Sequence, residues 1–159
     1  MRGLLVLLLV VASGCAGVTL RPRALDEAVR VEEVALAFSP EGSGELTLRL
    51  EVENPTLWDA EVRGVDFELR LDGRRYAVGT RGVVLPLGSD ARRSLTVSFP
   101  LLTEPSEASE APTRTWRVEV AGGVALAFGA RGETVRLLPF RARRSLRLAH
   151  FRPDTPSRD

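Results

Sequence analysis

Reactive side chains are scarce in this sequence of 159 residues. It holds one Cys (Cys15), one His (His150) and one Asn (Asn54), and with no Lys all 22 of its cations are Arg. A lone thiol cannot close an intramolecular disulfide or supply a cysteine-clustered zinc or iron–sulfur centre. His150 sits between Arg147 and Arg152 with no second His at ligand spacing, so neither a His metal site nor a His-based catalytic triad is expected. Acid–base or calcium chemistry would draw on the carboxylates Glu32-Glu33, Glu51/Glu53 or Glu104/Glu107/Glu110. Glu51 and Glu53 are two apart in a strand-like segment and share its solvated face. No carboxylate group lies in a D-x-[DN]-x-[DN]-G loop, and the chain has no G-x-S-x-G, P-loop or G-x-G-x-x-G. The expectation is a protein that is not an enzyme and uses no metal or cofactor.

The chemistry Cys15 suits is acylation. Met1-Arg2 is a short basic start, residues 4–12 are a nine-residue apolar run, and Ser13-Gly14 precede the thiol. That is the charged, apolar, small layout of an export signal. Nine residues span about 14 Å as a helix at 1.5 Å per residue, far short of a bilayer core. Ala12-Ser13-Gly14-Cys15 resembles the lipobox of bacterial lipoproteins. That resemblance implies cleavage before Cys15, which then carries the lipid, and two or three acyl chains anchor stably where one does not. Ala16 stands where Asp would mark inner-membrane retention, so the expected location is the cell envelope, at the periplasmic face of the outer membrane. The expected division is a signal peptide at 1–14, lipidated Cys15 and a tether over 15–28, a sandwich domain over 29–150, and a disordered tail at 151–159.

Four arginines near the C-terminus, Arg141, Arg143, Arg144 and Arg147, have Phe140, Leu146, Leu148 and Phe151 interleaved among them. Arg forks bind phosphates bidentately, so this edge suits anionic head groups or a docking partner. The competing reading is a solvated face that pairs across strands with the acidic segment. Residues 26–70 hold 12 acids and four Arg, whereas 131–152 hold seven Arg and one acid. With formal net charge +1 and an export signal, nucleic acid is not an expected partner.

The elements that carry these residues have a period of two. Leu46, Leu48, Leu50 and Val52 alternate with Thr47, Arg49, Glu51 and Glu53, and Val65, Phe67, Leu69 and Leu71 with Asp66, Glu68 and Arg70. Leu95, Val97 and Phe99, then Trp116, Val118 and Val120, repeat the pattern, which marks half-buried strands. Parity changes near Glu32-Glu33, predicting a bulge. Asp72-Gly73 predicts a tight hairpin, residues 86–90 and Gly122-Gly123 further turns, and Pro139 an end to the last ladder. Residues 103–113 (TEPSEASEAPT) read as a flexible acidic loop. The fold class expected is all-β: a two-sheet antiparallel sandwich of about seven strands, immunoglobulin- or fibronectin-III-like.

Asn54-Pro55-Thr56 closes the strand LTLRLEVENP. Pro fixes φ and removes a ladder donor, and Asn bonds nearby backbone, so the pair ends a strand and steers the chain across the sandwich. Trp58, just beyond, either seals a sandwich end or faces a partner. The order LTLRLEVENP, VDFELRLDG, RRYAVGT, VVLPLGSD, SLTVSFPL resembles the WHy domain (water stress and hypersensitive response) of LEA type 2 proteins, best over the central 70 or so residues. Its NPN or NPx step matches Asn54, Pro55 and Thr56, with Thr in place of Asn at the third position. The helix usual in the family after the closing strand is replaced by the acidic loop. The resemblance implies a non-enzymatic protein of stress or desiccation protection that binds membranes or proteins. The alternative is an accessory subunit or carrier that takes a hydrophobic ligand or docks on an envelope complex through its Arg-rich edge.

Overall fold

The computed structural model describes residues 25–102, 114–129 and 134–149. Seven strands follow in chain order: β1 (Val29–Phe38), β2 (Ser43–Glu53), β3 (Ala60–Leu71), β4 (Arg74–Leu87), β5 (Arg92–Leu102), β6 (Arg114–Phe128) and β7 (Thr134–Leu148). They form a three-stranded sheet, β1-β2-β5, and a four-stranded sheet, β4-β3-β6-β7, with every pairing antiparallel. This is the expected immunoglobulin/fibronectin-III-like sandwich. The predicted signal peptide and tether up to residue 24, the acidic loop 103–113 and the tail lie outside the described residues.

Parity builds the core. Leu46, Leu48, Leu50 and Val52 of β2 are all fully buried, as are Val62, Val65 and Leu69 of β3, and they meet across the sheets. Burying an aliphatic side chain of this size stabilises by about 1.5–3 kcal/mol, so the alternation alone selects these faces. Phe67 and Phe99 bridge the two sheets with ring centroids 4.3 Å apart. The parity change in β1 is a bulge, with the register shifting between Val31 and Glu33. Asp72 (φ 49°) and Gly73 (φ 84°) make the tight β3–β4 hairpin.

Three features depart from the sequence reading. Gly122-Gly123 make no turn; they lie in the middle of β6, opposite Phe67 and Asp66. A Cβ on Gly122 would collide with the Asp66 carbonyl oxygen, so this glycine permits close strand approach. Pro139 does not end β7, and pairing continues through it opposite Gly123. The reason is position: β7 is an edge strand, where a missing N–H on the unpaired side costs nothing in the ladder. Finally, the short return at RRYAVGT extends to Leu87 as one long edge strand, β4.

Register gives the sandwich two distinguishable ends. Val29 pairs with Val52, Glu53 with Arg92, and Ala60 with both Leu87 and Phe128, so the chain enters the sandwich at the end where the β2–β3 and β4–β5 crossings between the sheets, 54–59 and 88–91, also lie. We call this the proximal end. The β1–β2 and β3–β4 turns mark the distal end.

Candidate functional site

The most organised polar cluster is at the proximal end, around Asn54. Strand β2 must leave its sheet there, and Pro55 prevents the ladder from continuing. The Asn54 side chain is fully buried. Its Nδ2 donates to the carbonyls of Trp58 (2.7 Å) and Gly88 (2.9 Å), with that of Leu87 at 3.3 Å. Its Oδ1 accepts from the Thr56 N–H (3.2 Å) and hydroxyl (2.8 Å). Its backbone N–H reaches the Ala91 carbonyl at 2.9 Å. One carboxamide therefore ties the 54–59 crossing to the 88–91 crossing. Asp90 N–H to Thr56 O (3.0 Å) and Ser89 N–H to Asp59 Oδ1 (3.1 Å) complete the clamp. The Trp58 N–H donates to the Thr56 hydroxyl at 3.2 Å. Every polar atom of the Asn54 and Thr56 side chains faces a partner, and such a saturated network holds a loop rigid rather than offering a free group to a ligand.

The clamp holds the loop so that its tip points outward. Leu57 is 85% exposed and Trp58 60%. Trp58 does not seal the sandwich; its backbone is bound and its indole faces outward. Trp116, near the distal end, is buried and has the Arg114 guanidinium 4.5 Å from its ring centroid.

β7 separates the four arginines singled out from the sequence. Arg141, Arg143 and Arg147 share the outer face with Ala121, Glu119 and Thr115 of β6, whereas Arg144 has the opposite parity and lies opposite Val118. Arg143 pairs with Glu119 at 3.2 Å. Arg144 donates to the Arg143 carbonyl at 2.9 Å. Among the described residues none of Arg141, Arg144 and Arg147 has a carboxylate within ion-pairing distance. The acidic segment is neutralised largely elsewhere, as in Arg49–Glu33 (3.5 Å), Arg63–Glu61, Arg92 with Glu51 and Glu53, and Arg70 and Arg75 with Glu68.

The outer face of the four-stranded sheet holds a cleft of about 630 Å³ lined by Asp66, Glu68, Thr80, Ala121 and Arg141 among others. Asp66 Oδ1 accepts the Gly123 N–H at 2.7 Å. A hydrogen bond from Arg70, aided by the charges of Arg70 and Arg75, holds the Glu68 carboxyl below its ordinary range. Glu68 is therefore an ionised partner of arginines and not a proton donor near neutral pH. At the proximal end Arg92 is shifted upward by its hydrogen bond to Glu53 and the charges of Glu53 and Glu51. Among the described residues no three His, Cys, Asp or Glu side chains converge as a metal site, and no helix is long and apolar enough to cross a membrane. Cys15 and His150 lie outside the described residues. Sequence reasoning missed Leu57, which follows a turn where periodicity gives no facing.

No protein-family profile matches the chain, and no curated protein matches it in sequence. Solved structures do match. An Arabidopsis thaliana protein, AT1g01470, superposes with TM-score 0.61 at 15% identity, over 80% of this chain and 85% of that chain. A protein described as late embryogenesis abundant (LEA), At2g46140.1, matches with TM-score 0.53 at 16% identity, over 76% of this chain and 70% of its own. A protein from Archaeoglobus fulgidus matches with TM-score 0.51 at 14% identity, over 74% and 97%. At these identities the likeness is one of fold: the chain has a LEA-like sandwich.

Proposed function

We propose that the chain is a non-enzymatic, lipid-anchored envelope protein whose LEA-like sandwich protects membranes or proteins under drying or related stress. The observation that carries the domain's part is the sandwich it shares with a LEA-described protein over 76% of its length. The location rests on Ser13-Gly14-Cys15 after a nine-residue apolar run. Acylation at Cys15 attaches the proximal end of the domain to the bilayer, at the periplasmic face of the outer membrane. The Asn54 clamp supports a binding role, because it spends a buried polar network on fixing an exposed loop.

Mass spectrometry of the mature N-terminus, combined with membrane fractionation, tests the anchor. Acyl mass on Cys15 and recovery with the membrane are expected, and an unmodified or soluble chain overturns it. Drying cells that lack the gene tests the protective role, and survival and envelope integrity equal to wild type count against it.

A second reading has its own support in Arg141, Arg144 and Arg147, none of which has a carboxylate partner among the described residues. A protein or anionic lipid partner would dock on this edge by charge. Recovery of a stoichiometric partner in mild detergent, lost in R141A/R147A, would favour that reading.

A further inference from the structure

Among the described residues seven large hydrophobic side chains are exposed: Leu57, Trp58, Val78, Val84, Leu102, Val135 and Leu137. Scattered exposed hydrophobics are ordinary. Here five of the seven lie toward one end. Leu57 and Trp58 form the tip of the proximal crossing. Ala60, Leu87, Phe128 and Thr134 make up the last row of the four-stranded sheet at that end. Val135 is one row in from it, and Leu137 and Val84 are three rows in. At about 3.4 Å per residue these rows lie within roughly 10 Å of the end. Leu102 is at the distal end, opposite Ser43, and Val78 lies mid-strand, opposite Glu68.

The same end receives the chain from Cys15. Nine residues, ten Cα–Cα steps, separate Cys15 from Leu25, the first described residue, a reach of at most about 35 Å. The Ala28 carbonyl accepts the Glu53 N–H at 2.8 Å, so the incoming segment is fastened beside the Asn54 loop. Four of the nearby acids are engaged, Glu51 and Glu53 by Arg92, Glu61 by Arg63, and Asp59 by the Ser89 N–H, whereas Asp26, Glu27 and Asp90 at the same end stay with water. The pairing of those four lowers the cost of bringing the crossing tip to an apolar interface.

We propose that the proximal tip, Leu57 and Trp58, inserts into the interfacial layer of the bilayer to which Cys15 is anchored, with Val84, Val135 and Leu137 as a flanking apolar collar. This rests on the lipid-anchor reading and adds an orientation to it: the sandwich stands with its 54–59 and 88–91 crossings against the lipid and its distal turns away. An amphipathic surface buries its apolar side about 5–10 Å into the head-group boundary, which matches the depth over which these five side chains lie. Indole suits that layer, being apolar in body and polar at one atom.

The two tryptophans make the test internal, because Trp58 is proximal and Trp116 distal. The full acylated protein is reconstituted into phosphatidylethanolamine/phosphatidylglycerol vesicles doped with lipid brominated near the head group. W58F supplies the Trp116 signal for subtraction. The Trp58 emission is expected to fall to about half or less at insertion depths of this order, while Trp116 stays unquenched. L57D should relieve the quenching with the protein still on the vesicle. Trp58 open to aqueous iodide and unaffected by bromolipid overturns the proposal. So does a Trp58 shielded from both in a dimer, where a second copy covers the tip. Mass spectrometry of the same sample reports Cys15 separately. An unacylated Cys15 defeats the anchor, whereas an acylated Cys15 with an aqueous Trp58 defeats the insertion alone.

Discussion

Replacing Asn54 with Ala removes a carboxamide that joins two crossings, and the loss can be worked from its partners. Trp58 O can recover a bond from the Thr56 hydroxyl, which is 3.1 Å away. The carbonyls of Gly88 and Leu87 and the Thr56 N–H are left without the groups that met them. A buried polar group stripped of its partner costs about 1–3 kcal/mol. With the bonded groups partly rescued by loop relaxation, the total comes to about 3–4 kcal/mol. For a domain of this size each kcal/mol shifts Tm by about 4 °C, so a fall of about 12–16 °C is expected. N54D keeps the shape and changes only the chemistry: a carboxylate oxygen then faces three carbonyl oxygens. At pH 7 it should destabilise more than N54A.

The sign of its pH dependence follows. The carbonyls favour the protonated form of the introduced carboxyl, so its folded pKa lies above its unfolded one. The folded state then binds more protons in that window. The stability of N54D is therefore greatest below the ordinary carboxyl range and is lost as pH rises through the folded value. Thermal melts of wild type, N54A and N54D at pH 7 and pH 5, followed by circular dichroism, decide the matter. A shift below about 4 °C for N54A, or a pH-independent gap between N54D and wild type, would refute the clamp.

Other consequences are sharper in sign than in size. G122A should lose at least about 3 kcal/mol, because the added Cβ meets backbone at Asp66 and the Phe140 ring, whereas G82A, with nothing within 4 Å of its Cβ position, should stay within about 0.5 kcal/mol of wild type; urea unfolding measures both. The hydrogen bond from Arg70 holds the Glu68 pKa low, so its contribution is present above the ordinary value of 4.5 and lost as pH falls through the folded value. Melts of E68Q and wild type should therefore differ in pH slope only below pH 4.5. C15S should leave the mature chain unacylated and shift it from the detergent phase to the aqueous phase on Triton X-114 partitioning; retention in the detergent phase would contradict the anchor.

The strand faces were readable because a half-buried antiparallel strand writes its burial into every second residue, as Leu46 to Val52 and Val65 to Leu71 show. The misread residues depend on distant neighbours. Gly122-Gly123 carry the chemistry of a turn, and only the nearness of the Asp66 backbone gives Gly122 its role in mid-strand. Pro139 breaks a ladder in a central strand but not at an edge, and the edge is a property of sheet order. Trp58 follows a turn, where no periodicity fixes its facing. The four arginines looked like one set in the sequence, but strand parity places Arg144 apart from Arg141, Arg143 and Arg147.

That parity arranges charge along the strands. On the outer face of the four-stranded sheet, Arg70, Arg75, Arg117, Arg141, Arg143 and Arg147 occupy the distal half with Glu68 and Glu119 among them. Toward the proximal end the same face turns to Gly64, Gly123, Ala125, Ala127, Val135 and Leu137, with the paired Arg63 and Glu61 beside them. A near-zero net charge thus conceals an apolar-to-cationic gradient running away from the point where the chain enters. The two functional readings use opposite ends of it, so they need not exclude one another. They also differ in salt response. Contact through Leu57 and Trp58 depends on apolar burial and should be almost unaffected by ionic strength. Docking through Arg141 and Arg147 relies on exposed charge, whose reach falls from about 10 Å at 0.1 M salt to about 3 Å at 1 M. High salt should therefore strip a partner from the distal face while leaving Trp58 in the lipid, and loss of both together would mean that one charged surface makes both contacts.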